Sequence, residues 1–86
     1  MNPAPMTRHR FTLNREFIEL HTLLKLLALA PSGGAAKAAI AEGLVSVDGH
    51  TETRKACKIR SGQQVRFGED FIDVVAGIAG PSGNSN

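Results

Sequence analysis

The chain has 86 residues and a formal net charge of +2, from ten Lys or Arg against eight Asp or Glu. That length makes one small domain, and the lone cysteine, Cys57, excludes both an intramolecular disulfide and a CxxC metal site. No apolar run is long enough for a spanning helix and the start lacks the apolar centre of a secretory signal, so a cytoplasmic protein is expected.

Residues 1–7 are read as an N-terminal tail, 8–76 as the folded domain and 77–86 as a C-terminal tail. Both tails are rich in Pro, Gly, Ser and Asn and offer little to bury. The domain opens on RHRFTL (8–13), where Phe11 and Leu13 alternate with polar neighbours as in a short edge strand. Asn14 is placed to cap a first helix, with Glu16 and Glu19 in its opening turn, where the helix dipole favours negative charge. Phe17, Leu20, Leu24 and Leu27 then recur at helical spacing, widened by Ile18, Leu23, Leu26 and Leu29. Pro31 stops that helix at Ala30.

Ser32 is a cap for a second helix reaching Ala41 or Glu42, with Gly43 as its left-handed terminus. Its alanines let another backbone come close. Asp48-Gly49, between alternating segments, predicts a type I′ hairpin. The returning strand carries Cys57 and Ile59 on one face and Lys58 and Arg60 on the other. Val65 and Phe67 mark a further strand, and Phe71 to Val75 the last. Glu69, Asp70 and Asp73 collect acidic charge at that far hairpin and would keep its edge from pairing with another chain. The resulting class is α+β: two helices on a small, mostly antiparallel sheet, in the order β-α-α-β-β-β-β.

The chemistry concentrates between residues 54 and 60. Arg54, Lys55, Lys58 and Arg60 lie within seven residues with no acid between them, a field suited to a polyanion. A solvated basic strand is the plainer alternative. Ser32, Gly33 and Gly34 either form an ordinary cap or leave the first helical amides open to phosphate. They do not form a Walker loop. Lys37 and Lys25 each read equally as exposed helix lysines, Lys25 snorkelling to water, or as part of the same surface. Arg8, His9, Arg10 and Arg15 form a second basic group. His21 and His50 lack metal-ligand spacing, and Cys57 reads as a small hydrophobe. With neither Trp nor Tyr in the chain, only Phe and His could stack on bases, which argues against an RRM-type sheet.

Residues 20–65 resemble the RNA-binding domain first described in bacterial ribosomal protein S-four. The marks are the leucine-rich first helix, Ser32, Ala36 and Ile40 in the second, the run Gly43-Leu44-Val45-Ser46-Val47-Asp48-Gly49, and Ile59-Arg60-Ser61-Gly62-Gln63. The stand-alone YbcJ-like branch is similar over residues 10–76, through FIELHTLLKLLALAPSGGAAKAAIAEG and TRKACKIRSGQ. The resemblance implies an αL-motif fold whose basic helix-hairpin surface grips structured RNA of the rRNA or tRNA class, without catalysis or cofactor. Larger relatives place an arginine just after the serine that opens the second helix; Gly33 and Gly34 stand there instead, with Lys37 one turn on. The competing function is a protein-interaction adaptor associated with the ribosome or an RNA-processing complex. A monomer with no membrane contact is expected in either case.

Overall fold

The computed structural model describes residues 7–77. Four segments form the helical layer and its brace: β2 (Ile18–Glu19), α1 (Leu20–Leu26), α2 (Gly33–Ala41) and β5 (Lys58–Ile59). The main sheet comprises β1 (Thr7–Leu13), β3 (Val45–Val47), β4 (His50–Thr51), β6 (Gln64–Phe67) and β7 (Asp70–Ala76), in the spatial order β1-β7-β6-β3-β4. β1 runs parallel to β7, and every other pairing in the sheet is antiparallel. The α+β class with two helices on a mostly antiparallel sheet holds. The tails expected at 1–7 and 77–86 fall outside the described residues, except for Thr7, which opens β1, and Gly77, whose amide donates to the Leu13 carbonyl at 2.7 Å.

Strand alternation sorts the sheet. Val45, Val47, Val65, Ile72 and Val74 point to one face, where they meet Leu20, Leu23, Leu24, Ala36 and Ile40 of the helices in a single core. Among the described residues no polar or charged side chain is buried. Ile18 and Ile59 pair directly across the β2–β5 ladder and both enter that core. Ile59 is wholly buried; enclosing such a side chain contributes roughly 1.5–3 kcal/mol.

That ladder corrects the first-helix boundary. Residues 14–19 do not join α1; Glu19 is its cap position, in extended geometry and with no side-chain cap bond. Ile18 is drawn into pairing with a residue 41 positions away, and this outweighs the local helical spacing. The ladder also splits the returning strand of the hairpin. β4 pairs with β3 only over His50–Thr51, and Lys58–Ile59 belongs to the second, two-stranded sheet. The acidic strand β7 is no edge either, because β1 covers one side and β6 the other. Asp70 pairs with His9 at 3.0 Å and Asp73 with Arg8 at 3.3 Å, so these acids are tied into the sheet.

Both helices end in Schellman motifs. After α2 the Gly43 amide donates to Ile40 at 3.0 Å and the Leu44 amide to Ala39 at 3.1 Å, with Gly43 at φ 80° as expected. After α1 the Ala28 amide donates to Lys25 at 2.9 Å and the Leu29 amide to Leu24 at 3.0 Å. Here the left-handed residue is an alanine, at φ 59°. The helix therefore ends ahead of Ala30, by a cap built from its own carbonyls and not by Pro31. The hairpin tip follows the Asp-Gly rule, with Asp48 at φ 52° and Gly49 at φ 86°. The Asp48 carboxylate also accepts from the Gln64 amide at 2.9 Å, tying the tip to β6.

An L-residue in the left-handed region costs roughly 1–2 kcal/mol, more than the roughly 0.5–1 kcal/mol of backbone freedom a glycine loses on folding. Ala28→Gly is therefore expected to stabilise the domain by about 0.5–1 kcal/mol, read as a higher urea midpoint at unchanged m-value; a lower midpoint would contradict the cap geometry.

Candidate nucleic-acid interface

α1 begins without a side-chain cap, and its first amides are satisfied from elsewhere. The Leu20 amide donates to the Cys57 carbonyl at 2.9 Å and the His21 amide to the Lys55 carbonyl at 3.1 Å. The loop between β4 and β5 is thus fastened across the positive end of the helix. Cys57 faces partly inward against the core, and Arg54, Lys55, Ala56, Lys58 and Arg60 are left exposed.

Four of these loop residues, Arg54, Ala56, Lys58 and Arg60, together with Cys57, line an open basin of about 490 Å³. Two of its cations do not stand unopposed, as the spacing alone implied. Arg54 closes back on Glu52: Nε donates to the carboxylate at 2.8 Å, and the Arg54 amide donates to the same oxygen at 3.0 Å. These bonds hold the Glu52 carboxyl down at about 2, against an ordinary 4.5. Arg60 lies 3.7 Å from Glu16, a long contact between two well-exposed groups and worth little. Lys55 and Lys58 make no ion pair with any described residue.

Phe17 belongs to the site although its spacing assigned it to a helical stripe. The Lys58 ammonium stands 4.9 Å from its ring centroid and the Arg60 guanidinium 5.8 Å, so the ring orients both cations. Local spacing carries no signal for this, because the cationic partners of Phe17 lie about forty residues on. Glu52 was also missed, though an acid two residues before Arg54 in a turn is a readable cue.

The opening of α2 is an ordinary cap in its bonding. Ser32 Oγ accepts from the Ala35 amide at 3.1 Å and the Ser32 carbonyl from the Ala36 amide at 3.0 Å. Lys25 reaches toward it: a Cβ added at Gly33 would lie 4.0 Å from Lys25 Cδ. Lys25 is exposed, and it follows His21 by four residues, on the same face of α1 and about 6 Å along it. That face runs from the fastened loop at His21 to the Ser32-Gly33-Gly34 turn. Lys37 stands exposed one turn into α2. The structure therefore gathers Arg54, Lys58 and Arg60 round one basin, sets Lys25 beside Gly33, and connects the two groups along α1.

Cys57 carries no sign of a reactive thiol. Burial, followed by the Glu52 charge, pushes its thiol up from the ordinary value.

Residues 11–75 match the family model of the S4 domain. YbcJ of Escherichia coli (strain K12), provisionally named as an RNA-binding protein, is 56% identical over 59 residues, which span 69% of this chain and 84% of that protein. The YbcJ protein of Shigella flexneri matches to the same extent. The solution structure of E. coli YbcJ, described as revealing an αL motif involved in RNA binding, superposes with a TM-score of 0.65 at 45% identity, covering 88% of this chain and 96% of that one.

The Glu52–Arg54 staple makes a pH prediction. Because the folded carboxyl titrates below its unfolded value, its contribution is complete above pH 4.5 and fades as pH falls toward 2. A carboxyl NMR titration should place the Glu52 midpoint near 2 in the parent and return it toward 4.5 in Arg54→Ala; a parent midpoint at the ordinary value would remove the staple.

Proposed function

Because the chain belongs to the S4 domain family, we propose that it is a noncatalytic RNA-binding protein that grips structured RNA, of the rRNA or tRNA class, through its basic helix-loop surface. The observation that carries this reading is the basin at residues 54–60. Its cations project from a segment whose backbone is fastened to α1, and Lys58, with neighbouring Lys55, makes no ion pair with a described acid. A polyanion meeting such a surface gains phosphate contacts and releases counterions, and little loop ordering is required.

Each cation has a distinct part. Lys55 supplies a mobile point charge and Lys58 one oriented by Phe17. Arg60 keeps its planar fork exposed beside Phe17 and can take a phosphate bidentately. Arg54, already stapled to Glu52 through Nε and Nη2, mainly shapes the wall and offers its remaining Nη1. Lys25, Lys37 and the Ser32, Gly33 and Gly34 turn extend the surface along the helices. Structured RNA suits it because a rigid basic face reads backbone shape, whereas single strands call for exposed aromatic platforms. The names carried by the YbcJ relatives point the same way.

Reversing Lys55, Lys58 and Arg60 together to Glu should lower affinity for a tRNA mixture at least about tenfold and flatten the slope of log K against log salt by about 2–3. The parent should prefer tRNA over single-stranded DNA of equal length. Unchanged binding by the triple variant, with its fold intact by circular dichroism, would refute the assignment, as would a set of protein partners that persists after nuclease treatment while no RNA is bound.

A further inference from the structure

The face of the main sheet turned away from the helices carries a second cationic row. Register places Arg8 of β1 and Arg66 of β6 directly opposite Phe71 of β7, one on each side. Both guanidiniums approach the ring, Arg8 at 5.6 Å and Arg66 at 5.2 Å from its centroid. Ser46 pairs with Arg66, and Thr51 with Ser46, so the same row continues across β3 and β4 with two hydroxyls. Paired residues share a face, and the alternate positions Ile72, Val65, Val45 and Val47 are the ones that enter the core. The row therefore points away from the helix side that bears the basin.

Charge on this face is unbalanced. Arg10 stands one step along β1, opposite Asp73. Asp73 is the one acid among the paired outward positions, against three arginines, and its carboxylate is already engaged by Gln64 at 2.9 Å and Arg8 at 3.3 Å. Arg66 makes no ion pair; Nε donates to the Gly68 carbonyl at 3.1 Å, which pins the stem and leaves both terminal nitrogens of the fork without a described partner. Glu69, at the neighbouring turn, pairs with none of the three arginines. Beside the fork an open hollow of about 280 Å³ is bordered by Ser46, Thr51 and Gly43.

From this we infer that the outer sheet face is a second RNA contact, which takes backbone phosphates of another stretch of the same structured RNA, so that the domain is held between two RNA segments. The inference rests on the RNA-binding reading above. Guanidinium and hydroxyl donors in one line match acceptor-only phosphate oxygens and sugars, the contacts that position proteins on nucleic acid. The guanidiniums held near Phe71 also present flat faces to any unpaired base. Charge complementarity selects the occupant: three cations and two hydroxyls face one satisfied carboxylate.

The test uses the full chain and a tRNA mixture, with binding measured over a range of salt. Arg8→Gln with Arg66→Gln should flatten the log K against log salt slope by about 2 and weaken binding about tenfold at low salt, as the loss of two phosphate contacts requires. Ser46→Glu adds a negative charge to the row without touching either arginine, and should weaken binding in the same direction. In the parent, amide NMR shifts on titration with RNA should appear at residues 46, 66 and 71 as well as at 55–60. If both sheet variants keep parental affinity and slope while the Lys55, Lys58 and Arg60 reversal loses RNA, the second contact is overturned and the first stands. If neither set matters, both fall.

Discussion

Two hydrogen bonds govern where the charge of this protein goes. The amides of Leu20 and His21 need acceptors because they open a helix that has no side-chain cap. They find them in the carbonyls of Cys57 and Lys55. A neutral backbone bond is worth roughly 1 kcal/mol net, and an unmet buried amide costs more. Each loop carbonyl aligned with the positive end of α1 also gains from the helix dipole. The Ile18–Ile59 pair secures the same junction from the core side. The most highly charged segment of the chain is therefore among its better anchored segments, although only Lys58 and Ile59 in it belong to a strand.

The anchoring shapes what the surface can do. A loop that carried four free cations would be repelled by itself and would pay ordering entropy on binding any polyanion. Here Glu52 takes up part of the charge through Arg54, and Phe17 orients Lys58 and Arg60. The local field is weaker than the residue spacing implied, but its geometry is defined. The same economy appears on the sheet, where Asp73 and Phe71 hold Arg8 in place while Arg66 stays available.

What could be read from residues alone was what is encoded locally. Ser32 as a cap, Gly43 as a left-handed terminus and the Asp48-Gly49 turn each depend on a few adjacent residues, and each stands as expected. The α+β class followed from these and from strand alternation. The failures share one cause. α1 starts later than its spacing predicts because Ile18 is claimed by Ile59, and Phe17 leaves the predicted helical stripe for cationic partners that are remote in sequence. Cap bonding at Ala28 was invisible because alanine gives no signal for a left-handed position. The basic cluster was legible as a count of charges; its partial neutralisation by Glu52 required knowing which side chains turn back.

The parallel pairing of β1 with β7 joins the first described strand to the last, Thr7 opposite Asp70 and Leu13 opposite Ala76. Closing a loop of that span costs conformational entropy before any ladder bond is returned, and contacts so distant along the chain slow folding. During synthesis, the helical hairpin and the Asp-Gly turn can form as soon as they emerge, but β1 must wait for residue 76 before it finds its neighbour. A nascent chain thus holds an arginine-bearing strand without a partner until β7 has been made.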